Sequence, residues 1–204
     1  MRARASAAFV TLMAFAAFAV LGLAVAHRPP GAFDLAFAAW RGRATALASP
    51  ITAAGRFPAY ATFCVLWLAG AAIARRGLRR AIVAVVALVV AWQTSDLAKA
   101  AFHRARPADP LGPETSFSYP SGHAVLALAF FGCIASAFAA SSLPPAWRRL
   151  GIAACVLWIA AIGWSRLALG AHYATDVAGG YCFGAGWLVF ARVCSRRART
   201  SPAR

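Results

Sequence analysis

Six long apolar runs, separated by short charged segments, decide what this chain can fold into. They are Ala5–Ala26, Phe57–Ala74, Ala81–Phe102, Ser121–Ala140, Gly151–Leu169 and His172–Val193. Each is close to the length a helix needs to cross a hydrocarbon layer of roughly 30 Å. A helix also satisfies its own backbone polar groups in lipid, where water cannot. With 62% hydrophobic and 13% charged residues, the 204-residue chain has the balance of a polytopic membrane protein and not of a soluble domain. The expected fold class is all-α, with six transmembrane helices in the plasma (bacterial inner) membrane. No linker, repeat or low-complexity tract divides the chain, so residues 1–204 are expected to form one domain.

The net charge of +16 would suit a nucleic-acid partner, but the arginines stand in short clusters between the apolar runs and read as topology signals. No nucleic-acid partner is expected; the partners are the bilayer and a lipid within it. Six spans put both termini on one side, together with thirteen of the twenty-one Lys and Arg residues. The other eight are Arg28, Arg41, Arg43, Arg56, Lys99, Arg104, Arg106 and Arg166, and the last four belong to the chemically interesting clusters below. The termini are therefore expected in the cytoplasm, and those clusters on the periplasmic or exterior face.

Ala24-Val25-Ala26 resembles a signal-peptidase site, yet the run before it is long enough to span, and a retained first helix is the favoured reading. Between the first two runs, Phe33, Phe37, Trp40, Ala44 and Leu47 recur at helical spacing, with Asp34, Arg41 and Thr45 elsewhere on the wheel. This predicts an interfacial amphipathic helix in the first outer loop. A lid packed on the bundle is the alternative. The five cysteines show no C-x-x-C pairing and read as small buried side chains.

Three clusters carry the chemistry, each at the end of an apolar run. Lys99 is the single lysine beside twenty arginines, placed where a charge in a membrane helix is costly. Lys99, His103 and Arg106 follow i, i+4, i+7 spacing and would share a face if the helix continued so far. Pro107 disfavours helix at Arg106 and is expected to free that guanidinium. Taken singly, Lys99 reads as a snorkelling side chain paired with Asp96, and Arg104 and Arg106 as ordinary headgroup-facing charges.

In Tyr119-Pro120-Ser121-Gly122-His123, Ser121 and Gly122 put backbone N–H groups at the positive end of a helix dipole, an anion site with a titratable histidine beside it. His123 is placed to give a proton to an oxygen leaving a phosphate. Downstream, His172 and Asp176 stand at i, i+4 at the expected start of the sixth helix, where the carboxylate can orient the imidazole. Arg166 ends the fifth helix and can fork onto phosphate oxygens. The plainer readings are a buried polar pair for His172 and Asp176 and an interface anchor for Arg166. The remaining acids, Asp34, Asp96, Asp109 and Glu114, are scattered in sequence, so no metal site is expected. Read together, the residues fit phosphoryl transfer: His172 attacks in line opposite His123, while Lys99, Arg106, Arg166 and the Ser121 and Gly122 amides neutralise the phosphoryl oxygens.

Lys99-x6-Arg106-Pro107, Pro120-Ser121-Gly122-His123 and Ser165-Arg166-x5-His172-x3-Asp176 resemble the three-part signature of the type-2 phosphatidic acid phosphatase superfamily, within residues 99–176. The resemblance implies a six-helix membrane phosphatase acting on lipid phosphates or pyrophosphates, without metal or cofactor, through a phosphohistidine. It implies His172 as nucleophile, His123 as general acid and Asp176 as orienting carboxylate. Lys99, Arg106, Ser121, Gly122 and Arg166 would bind the phosphoryl group. Undecaprenyl pyrophosphate is the expected substrate, with phosphatidylglycerophosphate, phosphatidic acid and lipid A as alternatives. A lipid-phosphate binding or transport protein would need the cations but not the His172, His123 and Asp176 set.

Overall fold

The computed structural model describes residues 2–75, 77–112 and 114–197, with the side chains of 2–4 and 195–197 left aside. Among these residues all regular structure is helical: α1 (Arg2–Val25), α2 (Ala32–Ala38), α3 (Thr45–Ala54), α4 (Phe57–Ile73), α5 (Leu78–Phe102), α6 (Gly122–Ala139), α7 (Pro145–Ala168) and α8 (Ala174–Arg197). Five helices, α1, α5, α6, α7 and α8, are individually long and apolar enough to cross a membrane. The sixth expected span takes another form. α4 has 17 residues and qualifies only together with α3, from which it is bent by 49° at the break around Gly55 and Arg56.

Several boundaries move for local reasons. α7 begins at Pro145 instead of Gly151, because a proline in the first turn gives up no helical hydrogen bond, and Arg148 and Arg149 are drawn into the helix. α6 begins at Gly122 with Ser121 as its N-cap. The single loop helix expected over Phe33–Leu47 is split into α2 and α3 by a turn in which Gly42 (φ 79°) and Ala44 (φ 51°) are left-handed. Glycine takes that conformation without strain, and two such residues in three end a right-handed helix. Both pieces pack on the bundle, α2 against α8 and α3 against α7. Phe33, Leu35, Trp40 and Leu47 stay exposed, whereas Asp34, expected on the polar side, is buried.

α6 is the axis of the assembly and packs against α5, α7 and α8. Its contact with α8 is close because α8 carries glycines there: a Cβ on Gly180 would lie 2.7 Å from the Ser121 carbonyl oxygen, and one on Gly184 2.7 Å from that of Val125. Small residues let helices approach to backbone contact, which matters in lipid, where no hydrophobic force drives them together. α1 also packs on α8. Between them Phe15, Phe18, Phe183 and Trp187 form ring contacts that extend to Phe102 and Tyr119, and the Tyr119 hydroxyl donates to the Phe18 carbonyl at 2.5 Å. The five cysteines are free; Cys64 and Cys155 are buried and the other three half-buried.

Candidate active site

The α6–α8 packing has a direct effect on the proposed anion site. The Ser121 N–H donates to the Asp176 carbonyl at 3.1 Å, so it is committed within the protein and does not face a ligand as expected. Gly122 keeps the expected place. A Cβ there would stand 3.5 Å from Lys99 Nζ and 3.7 Å from Ser95 Oγ, so the α6 N-terminus meets the end of α5. The first N–H groups of a helix have no carbonyl partner within it, which leaves Gly122 as the amide beside the lysine.

α5 ends at Phe102, and His103 caps it in a left-handed conformation (φ 49°). The expected shared helical face of Lys99, His103 and Arg106 is therefore absent, and His103 turns outward, exposed, against Phe117. Lys99 reaches Asp96 Oδ1 at 3.3 Å and Ser116 Oγ at 3.4 Å, with its side chain largely covered. Arg106, released from the helix, is held by the carbonyls of Ser116 (2.6 Å) and Ala171 (2.7 Å). Its Nη1 also lies 3.3 Å from His172 Nε2.

His172 lies in the bend before α8, not within it, and Asp176 sits in that helix's first turn. Asp176 is fully buried and its two oxygens are divided. Oδ2 accepts from Ser118 Oγ (2.5 Å) and the Tyr173 N–H (2.8 Å) and lies 3.6 Å from His172 Nδ1. Oδ1 accepts from Arg104 Nη1 at 2.5 Å. Ser118 Oγ, whose own proton goes to Asp176, lies 3.5 Å from His172 Nδ1 and can only accept from it, while an Arg106 N–H faces Nε2, so the hydrogen bonds assign the proton to Nδ1 and a lone pair to Nε2. Burial pushes the His172 imidazole from 6.5 down to about 4 against the opposing pull of Asp176, with Arg166 and Arg106 adding to the lowering. His172 is therefore neutral near pH 7.

Arg166, expected as an interface anchor if it had no chemical role, is 1% exposed at the end of α7. Its Nη1 donates to Thr52 Oγ1 (3.1 Å) on α3, and Thr52 in turn is 2.8 Å from Ser165 Oγ. α3 thus braces the arginine. The other Arg166 nitrogen, Nη2, bonds Glu114, whose second oxygen lies 3.2 Å from Arg106 Nη1. Glu114 is one of the acids scattered in sequence; in three dimensions its carboxylate lies between the guanidinium groups of Arg106 and Arg166. Burial alone would raise its pKa, but Arg166 and Arg106 outweigh burial and hold it below the ordinary range.

His123 stands one residue into α6, next to Gly122, with its ring against the α3–α4 break, where a Cβ on Gly55 would be 3.0 Å from its Cδ2. Its Nε2 is buried without a hydrogen-bond partner, as are Ser95 Oγ, Ser121 Oγ and Arg166 Nε. Arg104 Nε is likewise unpaired; buried polar atoms in folded proteins are almost always paired, so this concentration at one end of the bundle is unusual. A cavity of about 180 Å³ adjoins His172, lined among others by Asp34, Phe37, Arg41 and Pro107.

All eight sequence-predicted site residues, Lys99, Arg106, Ser121, Gly122, His123, Arg166, His172 and Asp176, converge at one end of the bundle. Arg104, Glu114, Ser118, Asp34 and Thr52 were missed. Arg104 was read as headgroup-facing but is 2% exposed, between Asp34 and Asp176. The spacing Arg104-x-Arg106 before Pro107 was the one available signal, because two extended residues at that spacing share a side.

The family model of the PAP2 superfamily matches residues 79–200. The chain belongs to that superfamily. A stretch of 114 residues is 35% identical to a lipid A 1-phosphatase of Rhizobium johnstonii, covering 48% of this chain and 43% of the relative. Another of 77 residues is 38% identical to phosphatidylglycerophosphatase B of Bacillus subtilis, covering 37% of each. The matched region thus spans less than half the length of these relatives. The solved structure of a transmembrane PAP2-type phosphatidylglycerolphosphate phosphatase from Bacillus subtilis superposes with a TM-score of 0.80, over 96% of this chain and all of the other, at 23% identity. That likeness shows the shared fold.

Proposed function

We propose that this PAP2 superfamily member is a lipid phosphatase that hydrolyses a phosphate monoester or pyrophosphate at the outer face of the membrane through a phosphohistidine on His172. The observation that carries the reading is the pocket itself. Arg106 and Arg166 flank a place now held by one carboxylate, Lys99 shares Ser116 Oγ with Arg106, His172 Nε2 lies 3.3 Å from Arg106, and His123 Nε2 is buried without a partner.

In this mechanism the substrate phosphate displaces Glu114 from Arg106 and Arg166. His172 Nε2 forms a bond to phosphorus as the bond to the leaving oxygen breaks, and His123 supplies that oxygen's proton. Asp176 holds the Nδ1 proton and stabilises the charge that the ring acquires. Water then attacks the phosphohistidine, His123 takes back a proton, and phosphate leaves. The three cations, Arg106 fixed by carbonyls, Arg166 by Thr52 and Lys99 by Asp96 and Ser116, neutralise the phosphoryl oxygens throughout. A protein that only binds or carries lipid phosphate would not need His172, oriented through Nδ1, beside the cations.

Undecaprenyl pyrophosphate suits an outward site, since that carrier is left as its pyrophosphate on the outer face. The names of the relatives bring lipid A and phosphatidylglycerophosphate forward as further substrates. The arginine distribution supports cytoplasmic termini and a site open to the periplasm or exterior. The test is phosphate release by the purified protein in detergent with a chelator present, on these lipids and phosphatidic acid. Release that survives chelation and is lost in His172→Ala is the expected result. Equal release from the His172→Ala variant would sink the nucleophile assignment.

A further inference from the structure

Asp34, Arg104, Thr175 and Asp176 form a closed polar knot beside the nucleophile. Asp34, Arg104 and Asp176 are 3%, 2% and 0% exposed. Arg104 Nη2 donates to Asp34 Oδ2 at 2.7 Å, and Nη1 donates to Asp176 Oδ1 at 2.5 Å and to Thr175 Oγ1 at 2.6 Å. Asp34 Oδ1 accepts from the Thr175 N–H (2.9 Å) and hydroxyl (2.8 Å). The guanidinium also lies 4.5 Å from the centre of the Tyr173 ring. One cation thus joins a carboxylate of the outer loop to the carboxylate that faces His172.

Arg104 commits both terminal nitrogens to these contacts and leaves only its buried Nε without a partner, whereas Arg106 two residues on faces Glu114 and His172. The effect of Arg104 on chemistry is indirect. An Asp176 carboxylate free to rotate would present either oxygen to His172. Fixing Oδ1 on Arg104 leaves Oδ2 for Ser118, the Tyr173 N–H and the imidazole. Asp34 in turn fixes Arg104, since a lone buried guanidinium would divide itself among whatever acceptors were near.

We infer that Arg104, clamped by Asp34 of the outer-loop helix α2, is a positioning residue that sets the orientation of Asp176 against His172, making α2 an integral part of the site. The inference rests on the phosphohistidine reading above. It predicts that α2 affects turnover through Asp34 although Asp34 bonds neither histidine.

The test compares Asp34→Asn, Arg104→Lys, Arg104→Gln and the double variant Asp34→Asn/Arg104→Gln with the wild type and His172→Ala. Phosphate release is measured at equal amounts of folded, detergent-purified protein, with thermal midpoints recorded in parallel. For Arg104→Gln, kcat is expected to fall by about 10–100-fold with KM within about twofold, as when a group supporting a reactive histidine is lost. Arg104→Lys should recover part of the loss by keeping the charge. Asp34→Asn should fall in the same direction, and the double variant no further than Arg104→Gln, because the two act as one unit. A knot that only braces the fold would lower the midpoints and leave kcat per folded molecule at the wild-type value, and that outcome overturns the inference. If Arg104→Gln does not fold, Asp34→Asn, which keeps shape and hydrogen-bonding capacity, decides the matter alone. A wild type no more active than His172→Ala would instead remove the phosphatase reading itself.

Discussion

Two regions of this bundle bury their side chains by different means. Where α4, α5 and α6 meet, Tyr60, Cys64, Leu88, Leu126 and Phe130 pack with Trp67 and Phe131 as a cluster of rings and aliphatic chains. At the site end, Asp34, Arg104, Arg166, His172 and Asp176 are as deeply covered, but each is held by directed bonds to named partners. In lipid the first region gains little from burial as such, and its stability comes from close contact. In the second, every charge removed from water costs several kcal/mol unless its partners are in place. The apolar cluster tolerates a change of shape at the cost of contacts. In the polar knot, loss of one partner leaves a buried charge unmatched, and the bonds present hold Asp176 Oδ2 on the side of His172.

The contrast is tested most sharply by Asp176→Asn. An amide in that place cannot accept as the carboxylate does and favours the wrong imidazole tautomer, so kcat is expected to fall by about 10³–10⁴-fold, with apparent affinity little changed. A loss confined to KM would show that Asp176 binds substrate and does not orient His172.

The pH dependence follows from the same burial. His172 must be neutral to attack, and its pKa in the folded protein is lowered from 6.5 to about 4, so the reactive form persists as pH falls and is lost only as pH passes through about 4. The acid limb of kcat/KM, which reports the free enzyme's base, is expected there. An acid limb near 6.5 would mean that the imidazole is better solvated than the packing around it implies.

Glu114→Gln removes a charge that competes with substrate for Arg106 and Arg166. KM or the inhibition constant of inorganic phosphate should fall severalfold, by the order of one charge-assisted hydrogen bond, with kcat nearly unchanged. An increase in KM would make Glu114 a supporting member of the site and not its temporary occupant.

Phe130→Ala completes the comparison from the other side. Of the 3–5 kcal/mol that such a truncation costs in a soluble core, the part due to lost contacts remains in lipid, roughly 1–3 kcal/mol. This should lower the thermal midpoint while kcat per folded molecule stays within about twofold. A large change in kcat would show that the apolar cluster and the site are coupled, and the two regions would no longer be separate.

The sequence by itself determined five of the spans and the family, and it singled out eight residues that the structure brings to one end of the bundle. Apolar runs of membrane length leave the backbone few alternatives, and Lys99, His123, Arg166 and Asp176 are tied to helix ends whose positions follow from those runs. Local signals misplaced what lies between them. A 3.6-residue period joined Phe33 to Leu47, but Gly42 and Ala44 break the helix there, and Asp34 turns from the expected polar face into the bundle. Ser121 was assigned a free amide, which the approach of α8 across Gly180 gives to the Asp176 carbonyl.

Only the tertiary structure decided the roles of Arg104, Glu114 and Asp34. In sequence, Arg104 and Arg106 are equivalent cations on either side of Ala105. In space one closes a knot with two buried carboxylates and the other faces Glu114 and His172. The physical reason is range: the spacing of residues along a helix is set by covalent geometry and can be read directly, whereas the partner of a buried charge comes from segments as far as 72 residues away along the chain for Arg104 and Asp176 and 114 for Arg166 and Thr52, and is chosen by packing.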